Sequence, residues 1–366
     1  MKYISEYRDP MLAKSLITKI NQTSTRDAKL MEVCGTHTVA IAKHGIRTMM
    51  PSTVQLLSGP GCPVCVTANT DIDRAIELSK VDDVVITTFG DMMKVPGSYS
   101  SLAKEKAAGS DIRVVYSALD AVELAERTPE KRVVFLAVGF ETTAPTIAAS
   151  VVEAKKRGLK NFFIHAVHKT VPDALRALIE SGEVKITGLI LPGHVSAIIG
   201  TKPYLFLADE YHVPCVISGF EPLDVLQTIY MLVRQIESGE AKIEVQYRRG
   251  VLPDGNQVAV ETMNKVFEPC DADWRAIGVI PGTGLKLREE YAEFDAVAAI
   301  PVELPPVREP KGCQCGEVLR GVLFPYQCKL FGKACTPEAP VGPCMVSSEG
   351  SCAAYYRYSD YPEATG

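Results

Sequence analysis

The chain is 366 residues long, with 46% hydrophobic and 23% charged residues, a mixture that excludes disorder, collagen-like repeats and coiled coil as the main architecture. Its 44 acidic and 39 basic residues leave a net charge of −5, which argues against the basic surface of a nucleic-acid binder. There are 11 cysteines, and six of them fall between Cys313 and Cys352. An odd number in a chain this large argues against disulfide staples. The first residues, Met1 to Asp9, carry charges where a secretory leader has its apolar stretch. The apolar run 186–201 is too short for a bilayer and contains Pro192 and His194. The expectation is a cytoplasmic protein with no membrane or nucleic-acid partner, in a reducing compartment where clustered cysteines mean metal or redox chemistry.

In chain order, short unalternating apolar runs predict strands over 29–33, 54–57, 84–87, 113–116, 133–138, 161–166, 188–191 and 214–218. Amphipathic stretches between them predict helices over 70–79, 101–108, 118–126, 146–157, 172–181 and 223–237. This alternation belongs to parallel sheets covered on both faces, where binding groups collect in loops at the carboxyl ends of strands. A faint echo links Val138-Gly139-Phe140-Glu141 to Ser218-Gly219-Phe220-Glu221, each between an apolar run and a helix. Two α/β domains divided near residues 128–131 accommodate it. Beyond residue 237 one strand (242–247) and one helix (258–267) are expected. Pro301, Pro305, Pro306 and Pro310 then lead into a tail too poor in apolar residues to form a core, which points to a metal centre as its staple.

Three cysteine groups carry the chemistry. Glu32-Val33-Cys34-Gly35-Thr36-His37 ends one strand, so Cys34 stands where a helix begins and His37 lies one turn on, able to hold a thiolate or share a metal. Gly59-Pro60-Gly61-Cys62-Pro63-Val64-Cys65 ends the next strand, where exposed amides and the helix dipole favour a thiolate. Spacing leaves a metal pair and a redox disulfide both open for Cys62 and Cys65. In the tail, Cys313, Cys315, Cys328, Cys335, Cys344 and Cys352 show neither zinc-ribbon knuckles nor the bacterial ferredoxin run. Widely spaced thiolates suit a cuboidal iron–sulfur cluster, with zinc and free buried thiols as the alternatives. The predicted fold class is therefore α/β: two Rossmann-like parallel-sheet domains (residues 24–130 and 131–240) plus a small cysteine-rich iron–sulfur domain (residues 241–366, with residues 1–23 packed on it).

Softer candidates are Asp91, Glu141 and His194, each at a strand end where it either positions a ligand or caps a helix. His165 and His168 are spaced to point to opposite faces of a strand and make a poor metal pair, while Cys215 and Cys270 suit inert buried thiols. There is no Walker phosphate loop and no serine elbow.

Taken together, these motifs resemble the HypD family of hydrogenase maturation factors. The resemblance is carried by Met31-Glu32-Val33-Cys34-Gly35-Thr36-His37-Thr38, Gly59-Pro60-Gly61-Cys62-Pro63-Val64-Cys65-Val66, Thr88-Phe89-Gly90-Asp91 and Gly139-Phe140-Glu141-Thr142-Thr143. Pro192-Gly193-His194-Val195-Ser196, Gly219-Phe220-Glu221-Pro222-Leu223-Asp224, Gln246-Tyr247-Arg248-Arg249 and Met345-Val346-Ser347-Ser348-Glu349-Gly350 continue it in order. It implies a scaffold that builds the Fe(CN)2CO unit of nickel–iron hydrogenases with a small HypC chaperone, cyanide arriving from HypE with HypF upstream. It also implies Cys34 as the thiolate on the iron carrying cyanide and carbon monoxide, His37 beside it, and Cys62 and Cys65 as a redox-active dithiol. A [4Fe–4S] cluster is implied on Cys315, Cys328, Cys335 and Cys352, with Cys313 and Cys344 as extra thiols, and Glu349 joins the site as a further candidate. The competing readings are a cluster-dependent thiol–disulfide reductase of a protein partner and a zinc-stapled binding module.

Overall fold

The computed structural model describes residues 5–275 and 277–358. Its strands are β1 (Ala28–Glu32), β2 (Val54–Ser58), β3 (Val84–Thr88), β4 (Ile112–Val114), β5 (Arg132–Ala137) and β6 (Phe162–Ala166). They continue with β7 (Gly188–Pro192), β8 (Cys215–Ser218), β9 (Ile243–Val245), β10 (Phe267–Trp274) and β11 (Gly278–Leu287). Every residue of β3, β7 and β8 is buried, as expected of strands covered on both faces. Two parallel sheets result, one ordered β2-β1-β7-β8-β9 and one ordered β4-β3-β5-β6. The α/β class and the Rossmann-like sheets are as expected.

The division near residues 128–131 does not separate these sheets. The chain lays down β1 and β2, leaves to build the whole four-stranded sheet from β3 to β6, and returns so that β7 pairs with β1. Local periodicity marks a strand but carries nothing about its neighbour, so the crossing was invisible in the sequence. Residues 1–23 also differ from expectation. The helix Pro10–Thr23, capped by Asp9, buries Ile20 with Leu223, Leu226 and Leu232 beside the five-stranded sheet. Its apolar stripe thus faces the helix Pro222–Ser238.

The antiparallel hairpin β10–β11 was not expected, because its first strand, Phe-Glu-Pro-Cys-Asp-Ala-Asp-Trp, alternates buried and exposed residues around a bulge. The hairpin clasps both halves of the molecule. Thr67 bridges to Trp274, Arg275 N donates to Val66 O at 2.9 Å, and Lys169 bridges to Gly284. In the tail that follows, short helical turns carry Cys315 (Cys315–Leu319), Cys344 (Pro343–Val346) and Cys352 (Ser351–Tyr358), while Cys313, Cys328 and Cys335 lie between helices. Among the described residues no helix is long and apolar enough to cross a membrane.

Candidate functional site

The order β2-β1-β7-β8 places four strand-end loops side by side, and the chain's direction of travel across the sheet reverses between β1 and β7. That reversal opens a crevice at the carboxyl edge of the sheet. Cys34 stands there as N-cap of the helix Gly35–Lys43. Backbone N–H groups of Thr36 and His37 donate towards its sulfur, which favours a thiolate, but burial outweighs them. Together with the nearby Glu349 and Glu32 carboxylates, burial pushes the Cys34 thiol up to about 12. Glu32 is fully buried and accepts from Thr38 Oγ1 at 2.6 Å and Cys34 N at 3.2 Å. Burial pushes its carboxyl up to about 7, against the opposing pull of Thr38 and Arg47. Thr36 Oγ1 donates to Glu349 Oε1 at 2.7 Å, tying the tail to the Cys34 turn.

His37 is buried and faces away from solvent. Its Nε2 lies 3.0 Å from Gly219 O and 3.3 Å from Ser218 O. Both acceptors are carbonyls, so Nε2 carries the proton and Nδ1, without a partner among the described residues, carries the free lone pair. Burial pulls the ring down to about 4, which keeps it neutral. The ring stacks on Phe220 at 5.0 Å, and Phe220 stacks on His194 at 3.8 Å.

The second thiol loop is stitched to the first. Gly59 N donates to Glu32 O at 2.8 Å and Gly35 N to Gly61 O at 3.0 Å. A Cβ on Gly61 would fall inside the backbone of Val33 and Cys34, so only glycine permits this approach. Cys62 caps the short helix Pro63–Val66, and its sulfur lies 2.6 Å from that of Cys65. Burial and the adjoining Cys62 sulfur push the Cys65 thiol upward.

All six tail cysteines line one small apolar cavity. Cys315 is joined to Cys344 in a disulfide with Cα atoms 6.4 Å apart, an ordinary span. The four thiols left free in the tail are Cys313, Cys328, Cys335 and Cys352. The last is pushed upward by burial and by the other three, so the quartet is mutually close. Among the described residues no three His, Cys, Asp or Glu groups converge as ligands of one metal ion. The sulfurs line a space instead of meeting at a point, and that donor set fits a cuboidal cluster, which wants one thiolate per iron. A second cavity of about 240 Å³ is lined by Cys65, Arg275, Cys313, Cys315 and Pro343, so the dithiol and the tail sulfurs open into the same space. Arg275 is 4% exposed, donates to Pro96 O at 3.1 Å and sits 3.6 Å from Glu309.

This geometry can be set beside known proteins. Residues 11–359 match the HypD family, described as "Hydrogenase formation hypA family". The hydrogenase maturation factor HypD of Rhizobium leguminosarum bv. viciae is 46% identical, covering 99% of this chain and 97% of its own. The chain belongs to the HypD family. HypD of Cupriavidus necator is 45% identical over 99% of this chain and 98% of its own. The hydrogenase expression/formation protein HupD of Azotobacter chroococcum mcd 1 is 43% identical over 100% and 98%. Hydrogenase maturation is therefore the general role of this HypD-family chain.

The structure brings Cys34, His37, Cys62 and Cys65 together with two of the softer candidates. Glu349 acts electrostatically on Cys34, Cys65, Asp91 and His194, which places all of them around one crevice. Asp91 is exposed by area, yet atoms packed around its carboxyl push it upward, with Glu349 adding to the effect. Glu141 lies apart, at the end of β5: its Oε1 accepts from Val171 N at 2.9 Å, its Oε2 has no partner, and burial pushes it up to about 7. Cys315, expected among the cluster ligands, has Cys344 as its partner; Cys313, Cys328, Cys335 and Cys352 are the free thiols, and all six line one cavity. A single residue, Gln314, separates Cys313 from Cys315, and spacing alone does not tell which of the two pairs with Cys344. The expectation that Cys344 is an extra unpaired thiol is corrected by the same bond. Sequence reasoning also missed Arg275 and Tyr204, a buried phenol influenced by both Glu141 and Cys34. Neither carries a motif; only the packing reveals them.

Proposed function

We propose that this chain is the scaffold on which the Fe(CN)2CO unit of nickel–iron hydrogenases is assembled in the cytoplasm. A HypC-type chaperone shares the iron, and HypE, charged through HypF, supplies cyanide. The observation that carries the reading is the cavity shared by Cys65, Cys313 and Cys315, which joins the strand-end thiols to the tail. Cys34 is the thiol that takes the cargo iron. Its proton is held tightly until a cation arrives, and the cation compensates the charge that burial disfavours. Glu349, bonded to the Cys34 turn, receives that proton. Neutral His37 orients the turn by its bonds to Ser218 and Gly219 and keeps Nδ1 free as a soft donor.

Cys313, Cys328, Cys335 and Cys352 would hold a [4Fe–4S] cluster, which would supply electrons one at a time when bound. Cys62 and Cys65 exchange two electrons and two protons between dithiol and disulfide, and their 2.6 Å approach suits that exchange. The Cys315–Cys344 disulfide, which lines the first cavity and reaches the second through Cys315, favours a second reading, reduction of a partner's disulfide through the same sulfurs.

Anaerobic copurification with a HypC-type chaperone tests the scaffold. The complex is expected to show infrared bands of iron-bound cyanide and carbon monoxide, and Cys34→Ala to lose them. Bands that persist in that variant overturn the role of Cys34.

A further inference from the structure

The segment that carries Cys313, Cys315 and Cys328 has a charge opposite to the whole. The chain is net −5, yet residues 308–333 contain five basic side chains (Arg308, Lys311, Arg320, Lys329, Lys333) against Glu309 and Glu317. Within the free quartet, Cys335 and Cys352 are buried while Cys313 and Cys328 are only half-buried. The quartet therefore has one accessible edge, and Lys311 and Lys329 stand beside it in the chain. An open groove of about 760 Å³ lies nearby, with walls that include Tyr99, Lys104, Arg308, Lys311 and Val341. Glu309 and Pro310 line both this groove and the cavity that holds Cys65 and Cys313. Groove and sulfurs thus share a wall.

The charges in the groove are not spent inside the protein. Twenty ion pairs are formed among the described residues, and Lys104, Arg308 and Lys311 take part in none of them. The Arg308 guanidinium lies over the half-exposed Tyr99 ring at 4.8 Å, while its backbone N donates to Ser98 Oγ at 2.9 Å. The segment is anchored at its base, since Asp73 accepts from both Ser98 N and Ser98 Oγ. A fixed rim of unpaired cations beside a half-exposed thiol edge is the pattern that steers an anionic partner to contact.

We infer that the groove between residues 96–104 and 308–311 is the docking surface of an acidic one-electron carrier protein, which delivers electrons at the Cys313–Cys328 edge. The inference rests on the proposed cluster for its purpose, though not for its binding. Such a carrier needs contact with the edge and no passage into the protein, which suits a shallow, open groove. Each encounter passes one electron from the reduced carrier to the tail centre, and the oxidised carrier leaves.

The test uses the full chain and its Lys104→Glu/Lys311→Glu variant, with reduced flavodoxin as the acidic carrier. The second-order rate of electron transfer at low salt is expected to fall at least about tenfold in the variant, and the wild-type rate to fall steeply with added salt. Reduction by dithionite is expected to stay within about twofold, showing an intact centre. Equilibrium binding of flavodoxin, read by fluorescence anisotropy, is expected to weaken in parallel. If binding and rate are the same in both proteins, the docking surface is overturned. If flavodoxin binding is lost in the variant while neither protein takes up iron and sulfide, the surface stands and the cluster assignment falls. A basic carrier, cytochrome c, that binds as tightly as flavodoxin would also overturn the inference.

Discussion

The two cysteine-bearing regions are built by different physics. Cys34, Cys62 and Cys65 stand on loops whose ends are fixed by β1 and β2, strands paired residue by residue from Ala28–Val54 to Glu32–Ser58. Removing their sulfurs would leave Leu30, Met31, Leu56 and Leu57 buried as before. Among its described residues the tail has no sheet and no helix longer than Ser351–Tyr358; its free thiols and one disulfide surround a single cavity. There the sulfurs share the interior with Val318, Leu319, Phe331, Met345 and Tyr355, which pack into the main core. Reactive thiols on a rigid frame are placed independently of any ligand, whereas tail thiols are placed by what they jointly hold.

The contrast can be broken most directly at Cys335. Cys335→Ser is expected to lose essentially all tail-bound iron and to open residues beyond about 300 to limited proteolysis, with the far-ultraviolet dichroism of the sheets retained. A variant that keeps about four irons per chain would remove Cys335 from the quartet. Next in size is Gly61→Ala, expected to destabilise the frame by about 3 kcal/mol in denaturant unfolding, because its Cβ meets the backbone of Val33 and Cys34. Iron content of the tail should be unaffected; joint loss of both would mean that the two regions fold as one unit.

The smallest effect is pH-dependent and belongs to the frame alone. Burial raises Glu141 from its ordinary value to about 7 in the folded protein, so the folded state binds a proton that the unfolded chain has already released. This contribution is fully present below the unfolded pKa and is lost as pH rises through about 7. Glu141→Gln should therefore gain about 2 kcal/mol relative to the parent between pH 4.5 and 8, read from unfolding curves at both pH values. An unchanged difference across that range would mean that Glu141 is ionised and partnered.

Much of this was legible in the sequence. The eight parallel strands from β1 to β8, the helices between them and the loops bearing Cys34, Cys62 and Cys65 follow from short-range patterns, since burial on both faces imposes continuous apolar runs and helix starts impose their caps. The hairpin β10–β11 did not, because a half-exposed strand with a bulge lacks that signature.

The sequence by itself determined which residue types stand at which strand ends, and hence that thiols gather at a carboxyl edge. Only the tertiary structure decided that β7 returns to lie beside β1, that Cys315 turns to Cys344 while Cys313 joins Cys328, Cys335 and Cys352, and that Arg275 reaches the cavity of Cys65. The physical reason is range. Propensity, capping and periodicity act over a few residues, whereas partner choice among distant strands and among thiols two residues apart is settled by packing across the whole molecule.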